Sequence, residues 1–255
     1  ALAAITLGVL WSNALAYHDV NLAPRDQLAE LERIGEQFAG SGPALMTEYQ
    51  PYGVRHFLRR LDAEGASELR RRPVALNDGS TLPKGGFADL SAFRPSDILV
   101  YRTLVLRRSP VESRPPAAYR LVWSGRFYEV WRRGENISAG APVPCPDRPA
   151  LLQVSALPAA VEVSVPRSGR YELWLGGSFR GRLAASVDGR RIGSDRHRLN
   201  YAGQYVSLGQ VVLAAGPHTI ALRQETSWTQ PGTGGPAPPV GPLALTPAGR
   251  CGAAA

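Results

Sequence analysis

The polar segment at 47–56, TEYQPYGVRH, holds the densest set of side chains that could do chemistry in this 255-residue chain. Glu48 and His56 could in principle act as a general acid and a general base. The segment lies where a predicted strand ends and a predicted helix begins, which is the usual ligand-facing edge of an α/β sheet. A turn with a capping carboxylate and solvent-facing helix residues explains the same pattern. We therefore assign no catalytic residue.

Other signatures of catalysis or cofactor binding are missing from the sequence. It contains no GxSxG elbow, no P-loop and no GxGxxG fingerprint, and no Ser-His-Asp arrangement supports nucleophilic catalysis. The histidines are isolated and lack the spacing of metal ligands. We predict no metal site and no cofactor, and whether the chain belongs to an enzyme stays open. The four histidines are His18, His56, His197 and His218.

Trp228 is the best candidate for binding a sugar, because it lies in a polar loop at 225–230. A sugar site needs an exposed aromatic face for the C–H side of the ring and polar groups for its hydroxyls. Trp228 could equally cover an apolar rim. Trp174 is ambiguous, since strand alternation places it either outside or against a neighbouring domain. The residues that could add polar edges, if their loops converge, are Arg180, Asn200, Tyr201 and Tyr205.

The positive charge of the chain is almost entirely arginine. The net charge is +8, and Lys84 is the only lysine among 29 basic residues. Nucleic-acid-binding proteins usually concentrate basic residues on one helix or stripe, often with stacking aromatic residues. Here the arginines are spread over both halves of the chain, so we predict no nucleic-acid partner. Solvated arginines with some attraction to phosphate or anionic lipid explain the composition better.

The first 17 residues, ALAAITLGVLWSNALAY, carry no charge. As a helix they would span about 25 Å, slightly less than the hydrocarbon core of a bilayer. Trp11 and Tyr17 suit an interfacial aromatic belt. We predict the C-terminal part of a transmembrane helix, with a signal peptide and a buried globular helix as alternatives. Basic residues are missing until Arg25, which favours a cell-membrane protein whose soluble part is extracytoplasmic.

The pattern of the segment at 18–140 predicts a small α/β domain. Leu28, Leu31, Ile34 and Phe38 repeat at helical spacing in a helix that begins at Pro24 and ends at Gly40. Helix, strand, helix and then further strands indicate a small α/β layer. The elements predicted after the first helix are a strand at 44–49, a helix at 53–61, a strand at 103–106, and a hairpin of strands at 119–123 and 127–131.

The segment at 141–255 is of a different kind. It begins with a proline-rich linker at 141–146 and carries a Pro/Gly-rich loop at 230–242. Short alternating strands with regular turns predict an all-β sandwich. Asp188-Gly189 is the strongest hairpin signal in the chain. The fold class is therefore α+β and multidomain. The predicted strands are 161–165, 169–175, 184–191 (with its turn), 204–208, 210–213, 219–223 and 242–246.

The two cysteines, Cys145 and Cys251, stand at the two borders of the predicted sandwich. Widely spaced cysteines of this kind suit a disulfide in an oxidising compartment. Such a disulfide would close a loop of about 105 residues and could stabilise the domain by up to ~4.7 kcal/mol. Two unrelated free thiols are the alternative.

The first half of the chain resembles a known class of membrane protein. The stretches LAPRDQLAELERIGEQFAGSGPALMTEYQPYGVRHFLRRL and LVLRRSPVESRPPAAYRLVWSGRFYEVWRR are similar to the soluble region that follows the last membrane helix of large actinobacterial proteins of GT-C glycosyltransferase type. This resemblance implies a polytopic enzyme that uses polyprenyl-phosphate sugars, with an upstream membrane domain in the same chain. In that class the catalytic carboxylate lies in an early loop among the membrane helices. That loop is not in this sequence, so no catalytic residue carries over.

The second half resembles galactose-binding-like jelly rolls, the fold of many carbohydrate-binding modules. The matching stretches are SGRYELW at 168–174, SVDG at 186–189 and LAAGPHTI at 213–220. These are framework residues, so the resemblance implies the fold and leaves sugar binding to be argued from a site.

Two functional hypotheses follow from the sequence. In the first, the chain is the accessory region of a membrane glycosyltransferase and guides a cell-envelope glycan acceptor to an active site upstream. In the second, it is a non-catalytic surface protein that is anchored by one helix and binds glycans or a protein partner. The number of apolar spans upstream in the full-length gene would distinguish the two.

Overall fold

The computed structural model describes residues 2–19, 24–68, 70–72, 74–134, 149, 151–154, 157–198, 204–225 and 240–248. An N-terminal helix precedes an α/β unit (24–134) and a two-sheet sandwich (151–248). The predicted division at 17 and 140 stays a prediction, because the linker and the boundary at 140 lie outside the described residues. Most of the Pro/Gly-rich loop at 230–242 lies outside them as well.

Helix α1 is Leu2–Asp19, and it confirms the predicted helical structure of this segment. Its described side chains, at 2–14, are all exposed. They include Leu7, Leu10 and Trp11, and the exposed fraction of Trp11 is 64%. These three side chains are therefore not part of the core. Among the described residues, no helix has both the length and the apolar character needed to cross a membrane.

The α/β unit is built on one mixed sheet of five strands in the order β2-β1-β3-β5-β4. Strand β1 pairs in parallel with β2 and β3, whereas β5 pairs antiparallel with β3 and β4. Its elements are α2 Arg25–Gln37, β1 Ala44–Met46, a π-helical turn Gly53–Phe57, 3₁₀ turns Arg59–Leu61 and Leu90–Ala92, β2 Ala63–Gly65, α3 Pro95–Ile98, β3 Thr103–Arg107, β4 Tyr119–Ser124 and β5 Tyr128–Arg133.

Amphipathic helix α2 covers one face of this sheet. Leu31 and Ile34 are fully buried against Met46 and Val105, as the helical spacing predicted. The opposite face packs a second cluster around Phe93. The hairpin β4–β5 is confirmed, but the predicted strand at 44–49 ends at Met46, and the predicted helix at 53–61 is two short turns. Strand β2 was not predicted.

The sandwich consists of two antiparallel four-stranded sheets, β10-β9-β12-β7 and β11-β8-β13-β6. Successive strands from β7 to β9 and from β10 to β13 alternate between the sheets, as in the predicted jelly roll. The predicted strands at 204–208 and 210–213 form one strand, β11, with an irregularity between Ser207 and Gly209. The strands are β6 Leu151–Leu152, β7 Ala159–Val165, β8 Gly169–Gly177, β9 Phe179–Val187, β10 Arg190–Arg198, β11 Tyr205–Leu213, β12 Gly216–Glu225 and β13 Val240–Pro247.

Local chemistry explains where these strands turn and meet. Asp188 and Gly189 both have positive φ, 50° and 77°, which suits the tight hairpin between β9 and β10. Where β10 crosses β11, a Cβ on Gly193 would overlap the carbonyl oxygen of Leu208, so this crossing requires glycine. Between the sheets, the apolar core is packed by fully buried side chains such as Leu173, Leu175, Leu183, Ile220, Leu222 and Leu243.

Candidate functional site

The predicted sugar-binding residues lie mostly in parts of the chain that the structure does not describe. Asn200, Tyr201 and Trp228 are outside the described residues, and so are Cys145 and Cys251. The predicted sugar contacts and the predicted disulfide therefore stay predictions. The backbone of Arg180 is part of strand β9, and its side chain is not described.

Tyr205 does not present the exposed polar edge that was expected of it. It begins strand β11, and only 6% of the residue is exposed. Its ring packs in a small buried cluster with Trp174 and Ala244. Burial of the ring also raises the pKa of its hydroxyl above the usual value. The alternation of β11 places this ring on the outer face of its sheet, which the α/β unit covers.

Glu48 and His56, the candidate acid and base, have different surroundings. His56 is exposed and lies on the ring of Tyr52, with ring centres 4.3 Å apart. Glu48 is buried at the boundary between the α/β unit and the sandwich. No hydrogen bond or ion pair between described residues joins these two side chains, so the structure provides no acid–base pair here.

Glu48 instead belongs to a buried polar network that joins the two units. Its carboxylate accepts hydrogen bonds from Gln204 of the sandwich and from Gln27 of α2, the latter at 3.3 Å. Gln27 also donates to the hydroxyl of Tyr128 at 2.7 Å. The guanidinium of Arg107 lies 3.7 Å from the Glu48 carboxylate and donates to the carbonyl of Tyr205 at 3.5 Å. Polar contacts therefore hold the sandwich in a defined position on the α/β unit.

This network is deeply buried and only partly satisfied. The side chains of Arg107 and Glu48 are 2% and 4% exposed, and burial raises the pKa of Glu48 above its usual value despite the neighbouring Arg107. Within the described residues, Oε2 of Glu48 and both Nε and Nη1 of Arg107 have no hydrogen-bond partner. The Arg107 guanidinium also lies over the rings of Phe127 and Tyr128, at 5.2 and 5.4 Å from their centres.

A cleft of about 250 Å³ opens beside this network, between the loop that follows β3, the β4–β5 hairpin and the outer face of the β11-β8-β13-β6 sheet. We call it the interdomain cleft and define it by six of its lining side chains: two tryptophans, three glutamates and the arginine that contacts two of those glutamates. These are Trp131, Trp174, Glu112, Glu129, Glu172 and Arg108. Arg107 and Arg114 line it as well.

Arg108 organises the interdomain cleft. Its guanidinium donates to Glu172 at 3.2 Å, lies 3.9 Å from a carboxylate oxygen of Glu129, and stacks 5.0 Å from the ring centre of Trp174. Glu172 also accepts a hydrogen bond from Ser207 at 2.6 Å, so its position is fixed from both units. The side chain of Arg108 keeps an exposed fraction of 22%. Its charge is therefore shared between protein carboxylates and the open space of the cleft.

The indole nitrogens in the cleft are also held in place. Trp174 donates to the hydroxyl of Thr246 at 3.0 Å, and Trp131 donates to Glu129 at 3.1 Å. These bonds orient both rings at the boundary between the units. Trp174, which alternation left either outside or against a neighbouring domain, lies against the α/β unit.

Burial raises the pKa of two carboxyl groups in the cleft, those of Glu112 and Glu129. Burial raises the pKa of Glu129 to about 7, although the positive charge of Arg108 acts to lower it. Burial and the nearby carboxylate of Asp89 raise the pKa of Glu112 well above its usual range, although the side chain keeps partial access to the cleft. Perturbed carboxyl groups in a cleft are typical of functional sites. The glutamates of the cleft can accept hydrogen bonds from a polar ligand, and Arg108 can donate hydrogen bonds to it, beside two indole rings.

The sequence contained one usable signal for this cleft. In strand β8, Glu172 and Trp174 alternate with Tyr171, Leu173 and Leu175, so a carboxylate and an indole share the face that does not enter the sandwich core. Glu129 and Arg108 gave no comparable signal, because their relation to Glu172 depends on how the two units pack. Within the described residues, no group of three or more His, Cys, Asp or Glu side chains could hold a metal ion.

Comparison with known proteins adds little to this site. No family model matches the chain, and no curated protein matches it. A family 35 carbohydrate binding module from Clostridium thermocellum is 18% identical over 38% of this chain and 87% of that module, with a TM-score of 0.24. A second family 35 module, from an environmental isolate, is 20% identical over 39% of this chain and 89% of that module, with a TM-score of 0.25.

A β-glucosidase from Paenibacillus barengoltzii is also similar, at 13% identity over 39% of this chain, with a TM-score of 0.27. This chain covers only 10% of that enzyme's length. Likenesses at these identities and scores carry no argument about this chain. The sandwich is defined by its own two hydrogen-bonded sheets.

Proposed function

We propose that this chain is a non-catalytic glycan-binding region and that the interdomain cleft receives a sugar unit. The observation that carries this proposal is the pairing of oriented indole rings with fixed carboxylates and a guanidinium in one cleft. Carboxylates accept hydrogen bonds from sugar hydroxyls, and guanidinium groups donate to them. Indole rings pack against apolar C–H faces, here through a small accessible surface, since Trp131 and Trp174 are 6% and 5% exposed. At about 250 Å³ the cleft is slightly smaller than typical ligand pockets of about 300–1,000 Å³, which suits a single unit of a longer glycan.

The rigidity of the cleft supports binding. Glu172 is fixed by Ser207 and Arg108, and Trp174 by Thr246, before any ligand arrives. A preorganised site loses less conformational freedom on binding and therefore gains affinity. The polar loop at 225–230 with Trp228 would supply a second contact to the same glycan. Asn200, Tyr201 and Arg180 stay candidate polar partners in that proposal.

We further propose the membrane context that the sequence predicted. In this proposal α1 belongs to a membrane anchor and the soluble units lie outside the cytoplasm. The chain then presents a cell-envelope glycan acceptor to an upstream membrane glycosyltransferase domain that uses polyprenyl-phosphate sugars. The exposed apolar side chains of α1, such as Leu7, Leu10 and Trp11, support membrane contact. A surface protein anchored by the same helix is the alternative, and it would lack the upstream catalytic domain.

Flotation with liposomes tests the membrane part of this proposal. The chain should float with phosphatidylglycerol-containing vesicles, and a version that begins at residue 20 should stay at the bottom of the gradient. Equal flotation of both would place membrane contact elsewhere in the chain.

A glycan array followed by isothermal titration calorimetry tests the sugar-binding part. We expect weak binding of oligosaccharides, and Glu172→Gln should weaken it about tenfold, which corresponds to about 1.4 kcal/mol. Asp62→Asn changes a carboxylate of the α/β unit outside the cleft and serves as the matched control. Trp228→Ala should weaken binding while leaving thermal stability nearly unchanged. A Trp228→Ala chain that unfolds would instead show that this ring covers an apolar rim.

A further inference from the structure

A second groove, of about 340 Å³, lies at one edge of the sandwich where the two sheets meet. It is lined by one end of β10, by β8 and by the exposed side of β11. Three arginines surround it, together with a glutamine and an exposed valine. We call it the arginine groove and define it by Arg170, Arg190, Arg191, Gln210 and Val212.

Strand register explains why these arginines converge. Arg170 of β8 stands directly opposite Val212 of β11 on the outer face of one sheet. Arg190 and Arg191 begin β10 in the other sheet, immediately after the Asp188-Gly189 turn. The close crossing at Gly193, described above, holds β10 against β11. The backbone positions of all three arginines are therefore set by the packing of the sandwich.

The positive charge of this groove is only partly compensated. Arg191 forms a bidentate ion pair with Glu225, at 2.6 and 3.2 Å. No ion pair between described residues involves Arg170 or Arg190, and both residues are exposed. A concave surface with guanidinium groups that lack a protein carboxylate favours an anionic ligand, because guanidinium binds carboxylate and phosphate through paired hydrogen bonds.

The arginine groove lies next to the interdomain cleft. Gln210 lines both of them. Glu172 lines the cleft and Arg170 lines the groove, and they are two residues apart on the same face of β8. Residues so spaced along a strand are separated by about 7 Å. A glycan that extends beyond the cleft along β8 can therefore reach the arginines of the groove.

From this proximity and the uncompensated charge of the groove we infer that the ligand is an acidic glycan, with a sugar unit in the interdomain cleft and a carboxylate or phosphate substituent in the arginine groove. The inference rests on the proposed function, and it adds the charge of the ligand and a second subsite. Arg170 and Arg190 bind the anionic group, and Val212 provides an apolar floor beside it. An anionic membrane surface is a different partner, and the shared lining at Gln210 favours the glycan.

Titration calorimetry on the full chain tests this inference with three probes. Tetragalacturonic acid carries carboxylates, its methyl ester is the neutral counterpart, and phosphorylated maltotetraose carries a phosphate. We expect the acidic probes to bind at least tenfold more tightly than the ester. The double variant Arg170→Gln/Arg190→Gln should remove that advantage and leave binding of the ester unchanged. The matched control is Arg223→Gln, which replaces an exposed arginine of strand β12 that does not line the groove. This variant should bind all three probes as the parent chain does.

The possible outcomes separate this inference from the proposed function. If the ester binds as tightly as the acid, the anionic subsite is refuted and glycan binding stands. If the acid binds equally to the double variant and the parent chain, the arginines have no role and the inference fails. If no probe binds, both proposals fail.

Two further measurements exclude a non-specific anion site. Inorganic polyphosphate that competes as strongly as tetragalacturonic acid would reduce the groove to a general polyanion surface and overturn the inference. Binding to phosphatidylglycerol vesicles that is lost in the double variant, without any loss for the acidic oligosaccharides, would assign the groove to a membrane surface. We expect neither result.

Discussion

Arg107 and Arg108 are neighbours in sequence and both line the interdomain cleft, but they differ in burial and in partners. Successive side chains of a strand point to opposite faces of its sheet. Arg107 enters the buried network with Glu48, where its side chain is 2% exposed, whereas Arg108 enters the interdomain cleft, where its side chain is 22% exposed. The first arginine is isolated from solvent and holds the two units together. The second remains accessible, so it can act on a ligand.

The end of strand β3 thus contributes to stability through Arg107 and, in the proposed function, to binding through Arg108. A buried ion pair loses most of its favourable hydration, so it tolerates the loss of a partner poorly. A partly exposed pair is screened by water and costs less to disturb. We therefore expect variants of the network to affect folding and variants of the cleft to affect mainly binding and pH dependence.

Removing the buried carboxylate should have the largest effect. Glu48→Ala leaves the Arg107 guanidinium buried without its counter-ion, and the free energy of unfolding should fall by about 3–5 kcal/mol. Guanidinium chloride denaturation followed by tryptophan fluorescence measures this change. Asp62→Asn, which disturbs an exposed pair with Arg71 and Arg72, should cost only about 0–1 kcal/mol. Equal costs for the two variants would remove the distinction between buried and exposed pairs.

The second prediction concerns the pH dependence of the cleft. Because burial raises the pKa of Glu129 to about 7 from a usual value of 4.5, the folded protein holds this proton where the unfolded chain has lost it. Stability contributed by Glu129 is therefore present below about pH 4.5 and falls as pH rises to about 7, by up to about 3 kcal/mol.

Glu129→Gln should remove this part of the pH dependence, which is measured as the difference between the stability curves of parent and variant. Asp62 provides a control of opposite sign, since hydrogen bonding from Arg71 lowers its pKa. Its contribution should be lost as pH falls through that lowered value. A parent-minus-variant curve for Glu129→Gln that is flat between pH 4.5 and 7 would contradict the raised pKa.

A third, smaller effect is expected from the other arginine. Arg108→Gln removes contacts to Glu172 and Glu129 but leaves a site that water can reach. The free energy of unfolding should fall by about 1–2 kcal/mol, less than for Glu48→Ala, while glycan affinity should fall clearly. Denaturation and titration calorimetry on the same preparation separate these two effects. A loss of stability as large as that of Glu48→Ala would show that Arg108 is as structural as Arg107.

The smallest effect is expected at the exposed hairpin, which extends the comparison to the surface. His218 forms a 2.6 Å contact with Asp188, and this contact raises the pKa of His218 above its usual value. Its stabilisation is therefore present at low pH and is lost as pH rises through the raised pKa. Asp188→Asn should return the pKa of His218 towards the usual value, as measured by NMR titration. An unchanged pKa would show that the Ala214 carbonyl, the other partner of His218, is sufficient.

Sequence patterns predicted the elements better than the site. The spacing of Leu31 and Ile34 located α2, and Asp188-Gly189 located the β9–β10 hairpin, because both signals depend on neighbouring residues alone. The 53–61 segment was predicted as one helix, but Leu58 separates two short turns that pack against α2 and the sheet. The short parallel strand β2 carried no periodic signal. Its position depends on its pairing with β1, which lies before the intervening helical turns in the chain. Tertiary packing decides that pairing.

Local sequence patterns are sufficient to specify the amphipathic face of α2, the alternating strands of the sandwich and the turn at Asp188-Gly189. These features follow from side-chain periodicity and local backbone preference, which act over a few residues. Packing between the units brings Arg108 to Glu172, 64 positions away, and Gln204 to Glu48, 156 positions away. No local pattern specifies these contacts, because they form where two separately built sheets bury their polar groups against each other.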